Sequence, residues 1–146
     1  MKTFKLILIG ICIFSFTNIN AQHLSQKQIA RKNNKVALFT TQEFSNLHIW
    51  FYNQVLDLKL SNEVEDQYAG IISKYTYRMS RLDDKDSDYS YDEILKEIPS
   101  LINEINKHTK PLFTDKQYND HLKIMTSFEQ TVLNKLALKN SQDIKD

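Results

Sequence analysis

Leu112-Phe113-Thr114-Asp115-Lys116-Gln117-Tyr118 decides how this chain is read, because it spells the start of a helix in full. Pro111 stops whatever precedes it. The Thr114 hydroxyl can cap the new helix, and the Gln117 side chain can reach back to the capping residue's N–H. Phe113 and Tyr118 stand where a hydrophobic staple would close. A looser copy, Leu58-Lys59-Leu60-Ser61-Asn62-Glu63-Val64, lies upstream with Ser61 in the capping position. The same spacing recurs at Ser25 with Gln28, Thr40 with Glu43 and Ser90 with Glu93. A chain punctuated this way is a series of helices.

Residues 1–21 read as a secretory signal peptide: Lys2 and Lys5, an apolar run from Leu6 to Phe16, then Thr17 to Ala21 with cleavage expected after Ala21. The apolar run is too short to span a bilayer comfortably, so no membrane span is expected after cleavage. Cys12 is a poor lipid-attachment site, because Ile11 stands where a small residue is wanted. A periplasmic or secreted location follows. The segment takes two of the 19 basic side chains and none of the 18 acidic ones, so a net charge of +1 becomes about −1. Nothing in that balance attracts nucleic acid in bulk. The only cysteine leaves with it, so residues 22–139 form a single helical domain held by its core without a disulfide. Residues 140–146 read as a polar, frayed C-terminal tail.

After the signal, Gly70 is the only glycine, and Pro99 and Pro111 are the only prolines. A sandwich or a hairpin-rich fold needs far more turn residues, so the fold class is all-α, a four- or five-helix hairpin or bundle. From Phe44 the positions Phe44, Leu47, Phe51, Val55 and Leu58 keep helical spacing, and His48, Tyr52 and Leu56 form a second apolar side. A helix apolar on more than one side is either central in a bundle or offers a face to a partner; central burial is the ordinary outcome. Whether the segment before Phe44 belongs to that helix is open. The next helix starts at Ser61 and carries Val64, Tyr68, Ile71, Ile72, Tyr75, Met79 and Leu82, with Tyr77, Arg78 and Arg81 on its other side. Ile94, Ile98, Leu101, Ile102 and Ile105 mark a third, in which Pro99 predicts a kink rather than a break. The last runs through Tyr118, Leu122, Met125, Phe128, Val132 and Leu136.

Catalytic patterns are missing from this sequence: it has no cysteine nucleophile after the signal, no glycine-rich phosphate loop and no serine at a sharp strand-to-helix turn. Glu93 and Glu97 lie one turn apart, a routine spacing for surface carboxylates. His23, His48, His108 and His121 lack the one-turn pairing of a helical metal site, although His108 and His121 could meet across the last turn. Asp84, Asp86 and Asp88 fall at the first, third and fifth positions of a calcium loop. Tyr89 then replaces its glycine and Leu95 its bidentate glutamate, so the loop from Asp83 to Asp92 reads as a solvated acidic connection. No enzyme activity, cofactor or metal is expected.

Leu60-Ser61-Asn62-Glu63-Val64 and Phe113-Thr114-Asp115-Lys116-Gln117 resemble the paired L-T-x-x-Q motifs of the small Spy/CpxP-like envelope-stress proteins. Val64 replaces the glutamine of the first motif and Phe113 the leucine of the second. The likeness covers most of the exported chain, from the signal through a charged loop to the second motif. It implies an all-helical, cradle-shaped homodimer that shields unfolded envelope proteins without ATP or restrains a stress-sensing kinase. A holding chaperone needs aromatic patches flanked by charge, which Trp50, Tyr52, Tyr77, Arg78 and Arg81 could furnish, with Tyr75 placed in the core. The rival expectation is a dedicated binding module, an inhibitor or sensor partner with one cognate surface.

Overall fold

The computed structural model describes residues 25–143; the expected signal peptide lies outside them. Among the described residues there are five α-helices and no strand: α1 (Gln26–Asn34), α2 (Thr41–Asp57), α3 (Asn62–Met79), α4 (Tyr91–Thr109) and α5 (Asp115–Asp143), with a 3-10 turn at Lys110–Leu112. The all-α expectation holds. None of these helices is long and apolar enough to cross a membrane.

Two units are distinguished. The first ends at Asn33 and contains nearly all of α1, which buries no residue; Ser25 caps it, taking the Gln28 N–H at 3.3 Å while the Gln28 amide oxygen accepts from Ser25 N at 2.8 Å. The second begins at Asn34 and contains the four longer helices. α1 and α2 are separate helices, since Thr40 takes a non-helical backbone and forms a complete capping box with Glu43. That settles the question left open at Phe44.

The core of the second unit is built on α4. Ile94, Ile98, Leu101, Ile102 and Ile105 are all buried, the stripe expected from spacing, and Thr109 closes it. Isoleucine and leucine recurring at three and four put one apolar face along the whole helix. α4 packs against α3 on one side and α5 on another, and remains one helix through Pro99. Tyr68, Tyr75 and Leu82 enter from α3 and its end; Ile124, Met125, Val132 and Leu136 enter from α5.

Three sequence expectations change here. α2 is not central: within the helix only Val55 is buried, and its main neighbour is α5. The buried line of α5 is turned toward His121 and Ile124, leaving Tyr118, Leu122 and Phe128 half-buried at its margin. Helix α5 also continues through Asp143, so the tail expected from Asn140 is helical as far as that residue. Salt bridges also cross between elements: Lys135 reaches Glu43 at 2.7 Å, and Lys139 pairs with Asp83.

Candidate functional site

Among the described residues, the outer side of α2 carries the largest concentration of exposed apolar side chains. Phe44 is 62% exposed, Ile49 58%, Tyr52 53% and Leu56 51%. Phe44, His48, Tyr52 and Leu56 repeat every four residues, so they lie along one face, with Ile49 beside them. The stretch from Phe44 to Leu56 contains no Asp, Glu, Lys or Arg. It is an uncharged face about 18 Å long at the rise of an α-helix.

The residues expected to form a contact surface divide. Tyr52 and Tyr77 are exposed, on α2 and α3 respectively. Trp50 is half-buried and packs on the core, its ring centroid 6.3 Å from that of Phe51. Arg78 spreads over the Tyr75 ring at 5.8 Å and pairs with Glu97 at 3.7 Å, leaving its side chain about half exposed. Arg81 turns into the acidic loop, pairing with Asp84 and, at 4.0 Å, with Asp86. Tyr75 is buried, as expected.

Asp84 shows why the acidic loop differs from a chain of free carboxylates. Its Oδ1 accepts the Val36 N–H at 3.0 Å, and its Oδ2 faces Arg81. Lys85 N adds a bond to Asn34 O at 2.8 Å, so the loop fastens the segment leading to α2. An open depression beside it is lined by Arg81, Asp84, Asp86, Ser87, Asp88 and Tyr89. Among the described residues no three His, Cys, Asp or Glu side chains are grouped as metal ligands.

The two motif turns meet through one side chain. Gln117 N donates to Thr114 Oγ1 at 3.3 Å, while Gln117 Oε1 accepts from Thr114 N at 3.0 Å. The same amide donates from Nε2 to Leu58 O at 3.1 Å. Leu58 caps the C-terminus of α2, where carbonyls lack helical partners. Lys59 follows in the left-handed region, φ 51°, which turns the chain sharply toward Ser61. Ser61 Oγ takes the Val64 N–H at 3.4 Å; with valine in that place the reciprocal bond cannot form. Leu60 and Phe113 are half-buried against the core. Thus Gln117 ties the start of α5 to the turn between α2 and α3.

Just beyond Gln117 lies a polar cluster in which His121, Thr109 and Tyr68 are buried and Asn106 half-buried. His121 Nδ1 is 3.2 Å from Tyr68 Oη, and Nε2 is 3.0 Å from both Thr109 Oγ1 and Asn106 Oδ1. Thr109 donates its hydroxyl proton to Ile105 O at 3.0 Å, and the Asn106 oxygen carries none, so Nε2 carries the imidazole proton. Nδ1 then accepts from the Tyr68 hydroxyl. Burial pushes the imidazole down to about 4 and pushes the Tyr68 phenol up. Phe113 packs edge-on at 5.4 Å and Tyr118 stacks at 6.0 Å. His108, by contrast, stacks on Tyr75 and faces Glu104 at 3.6 Å.

Sequence reasoning missed this cluster. His121 shares a helical register with Met125, Phe128 and Val132, a signal that it lies on the inward face. Nothing local names Tyr68 and Thr109 as its partners. Comparison with protein families, with characterised proteins and with solved structures finds no match to this chain.

Proposed function

We propose that this is an exported, non-enzymatic holding chaperone of the Spy/CpxP-like kind, binding non-native segments of envelope proteins on the outer face of α2. The observation that carries the reading is that uncharged face, with Phe44, Ile49, Tyr52 and Leu56 each more than half exposed. Exposed apolar patches on a folded domain mark surfaces for other polypeptides. A face without charges makes no demand on the charge of what it meets, which suits many weak clients better than one. Tyr77 and Arg78 of α3 supply a second, amphipathic contact.

The paired motifs support the reading through their geometry. Gln117 bridges the two turns, giving the degenerate L-T-x-x-Q pair a common structural task in holding α2 to the bundle. In this reading the motifs position the binding helix and the outer face of α2 does the binding.

The test is light scattering from an aggregating client, with the exported chain added in increasing ratio. Suppressed aggregation, lost in an Ile49→Ser, Tyr52→Ser double variant of unchanged stability, is the expected result. Unaltered scattering at several-fold excess would sink the chaperone reading. Recovery of one stoichiometric partner in a pull-down, with no effect on general clients, would favour the dedicated binding module.

A further inference from the structure

α2 is held to the bundle at two ends by different chemistry. At its start, Glu43 reaches Lys135 of α5 at 2.7 Å. Toward its end, Leu58 O receives the Gln117 amide, and Phe51 in the second half of the helix stacks on Tyr68 with centroids 6.3 Å apart and meets Phe128 of α5 edge-on at 6.2 Å. Tyr68 in turn bonds His121, and Phe113 packs on both, at 5.3 Å and 5.4 Å. The His121 cluster therefore underlies the C-terminal attachment of α2 and not the N-terminal one.

We propose that His121 is an acid-sensitive latch: protonation of its buried imidazole releases the C-terminal end of α2 while the Glu43–Lys135 pair keeps the other end on α5. The proton must enter at Nδ1, because Nε2 already carries one. Nδ1–H then faces the Tyr68 O–H, donor against donor. Either the hydroxyl turns its hydrogen into the surrounding rings, or Tyr68 and His121 separate. Separation moves the ring on which Phe51 of α2 is stacked.

No neighbouring charge compensates the imidazolium. From α3 the group facing it is the Tyr68 phenol; from α4, Asn106 and Thr109; from the turn before α5, Phe113; on α5 itself, Tyr118. Lys110 lies over the Tyr118 ring at 5.7 Å, a cation that adds no stabilisation to another. Asp120, adjacent in sequence, is already bound by Lys116 and Lys123, each at 2.8 Å. Burial lowers the imidazole to near 4. Glu43 is held down to about 2 by Lys135 and the Thr40 cap, so its pair with Lys135 survives where His121 titrates. Release would uncover the inner side of α2, with Phe51, Val55 and Leu58. The latch does not rest on the chaperone reading.

Trp50 is the single tryptophan and sits half-buried on α2, so it reports the release directly. Its emission and the far-ultraviolet helical signal are followed on the full exported chain from pH 7 to 4. The expected result is a reversible red shift with its midpoint between 4 and 6.5, helicity retained. His121→Gln should lack the step, and Tyr68→Phe, which removes the bond favouring the neutral ring, should move it to higher pH. A Trp50 spectrum constant to pH 4, or emission and helicity lost together at one midpoint, overturns the proposal. Should His121→Gln fail to fold, the Tyr68→Phe shift decides, and an unmoved midpoint counts against the latch.

Discussion

α4 and α2 are similar in length, 19 and 17 residues, and both carry apolar residues at helical spacing, yet α4 buries six residues and α2 one. Their surroundings differ. α4 lies against both α3 and α5, so its apolar face is covered from two directions. α2 rests mainly on α5, and the second apolar side, Tyr52 and Leu56 with Phe44 and Ile49, is left to solvent. Periodicity shows that a face is apolar; whether a neighbour exists to cover it is a property of the whole chain.

The sharpest way to break the comparison is to cut into α4. Ile105 is fully buried, and Ile105→Ala should cost about 2–5 kcal/mol, read from the urea midpoint at unchanged slope. A loss below about 1 kcal/mol would show that α4 is not the centre of the core.

The His121 cluster gives the next largest effect, and its sign follows from linkage. The folded imidazole binds its proton near 4 and the unfolded one near 6.5, so between those values the unfolded state holds more protons. Stability is complete above the unfolded value and falls as pH drops through the window, by about 3 kcal/mol at its end. Glu43 and Asp120, both held near 2, contribute above the ordinary carboxylate range and lose that contribution only at lower pH. Denaturant midpoints from pH 7 to 4 should therefore slope downward in the natural chain and flatten in His121→Gln.

A smaller effect distinguishes the two motif turns. Thr114 caps α5 reciprocally with Gln117, and Thr114→Ala should cost about 1 kcal/mol. Gln117→Ala removes the cap's return bond and the bond to Leu58 O together, so its loss should exceed that of Ser61→Ala at the one-sided cap. Equal melting temperatures for the Gln117 and Ser61 variants would deny that the turns are coupled. On the outer face of α2, Ile49→Ser with Tyr52→Ser should change stability least, within about 0.5 kcal/mol for each site, and should be seen in client scattering instead.

How much of this was legible follows from what is local. The five buried isoleucines and leucines of α4 announce their own face, because three-and-four spacing converts directly into a stripe. The caps at Thr40, Ser90 and Thr114 were equally readable, each box closing over three residues. Trp50 and Arg81 were expected on a contact surface from residue type and helical position, but one packs on the core and the other pairs with Asp84. Burial of one aromatic on a two-sided helix, and exposure of another, depends on which helix arrives beside it. His121 was the hardest to read, since its partners lie 53 and 12 residues away along the chain.

The sequence by itself determined that this is a chain of capped helices, where they begin, and that α4 has one continuous apolar face, because capping and periodicity act within a few residues. Tertiary structure alone decided that α2 keeps an uncharged face in solvent, that Gln117 joins the turn between α2 and α3 to the start of α5, and that His121 is buried as a neutral base. Those outcomes depend on groups far apart in the chain, whose desolvation and hydrogen bonding are settled only when the helices pack.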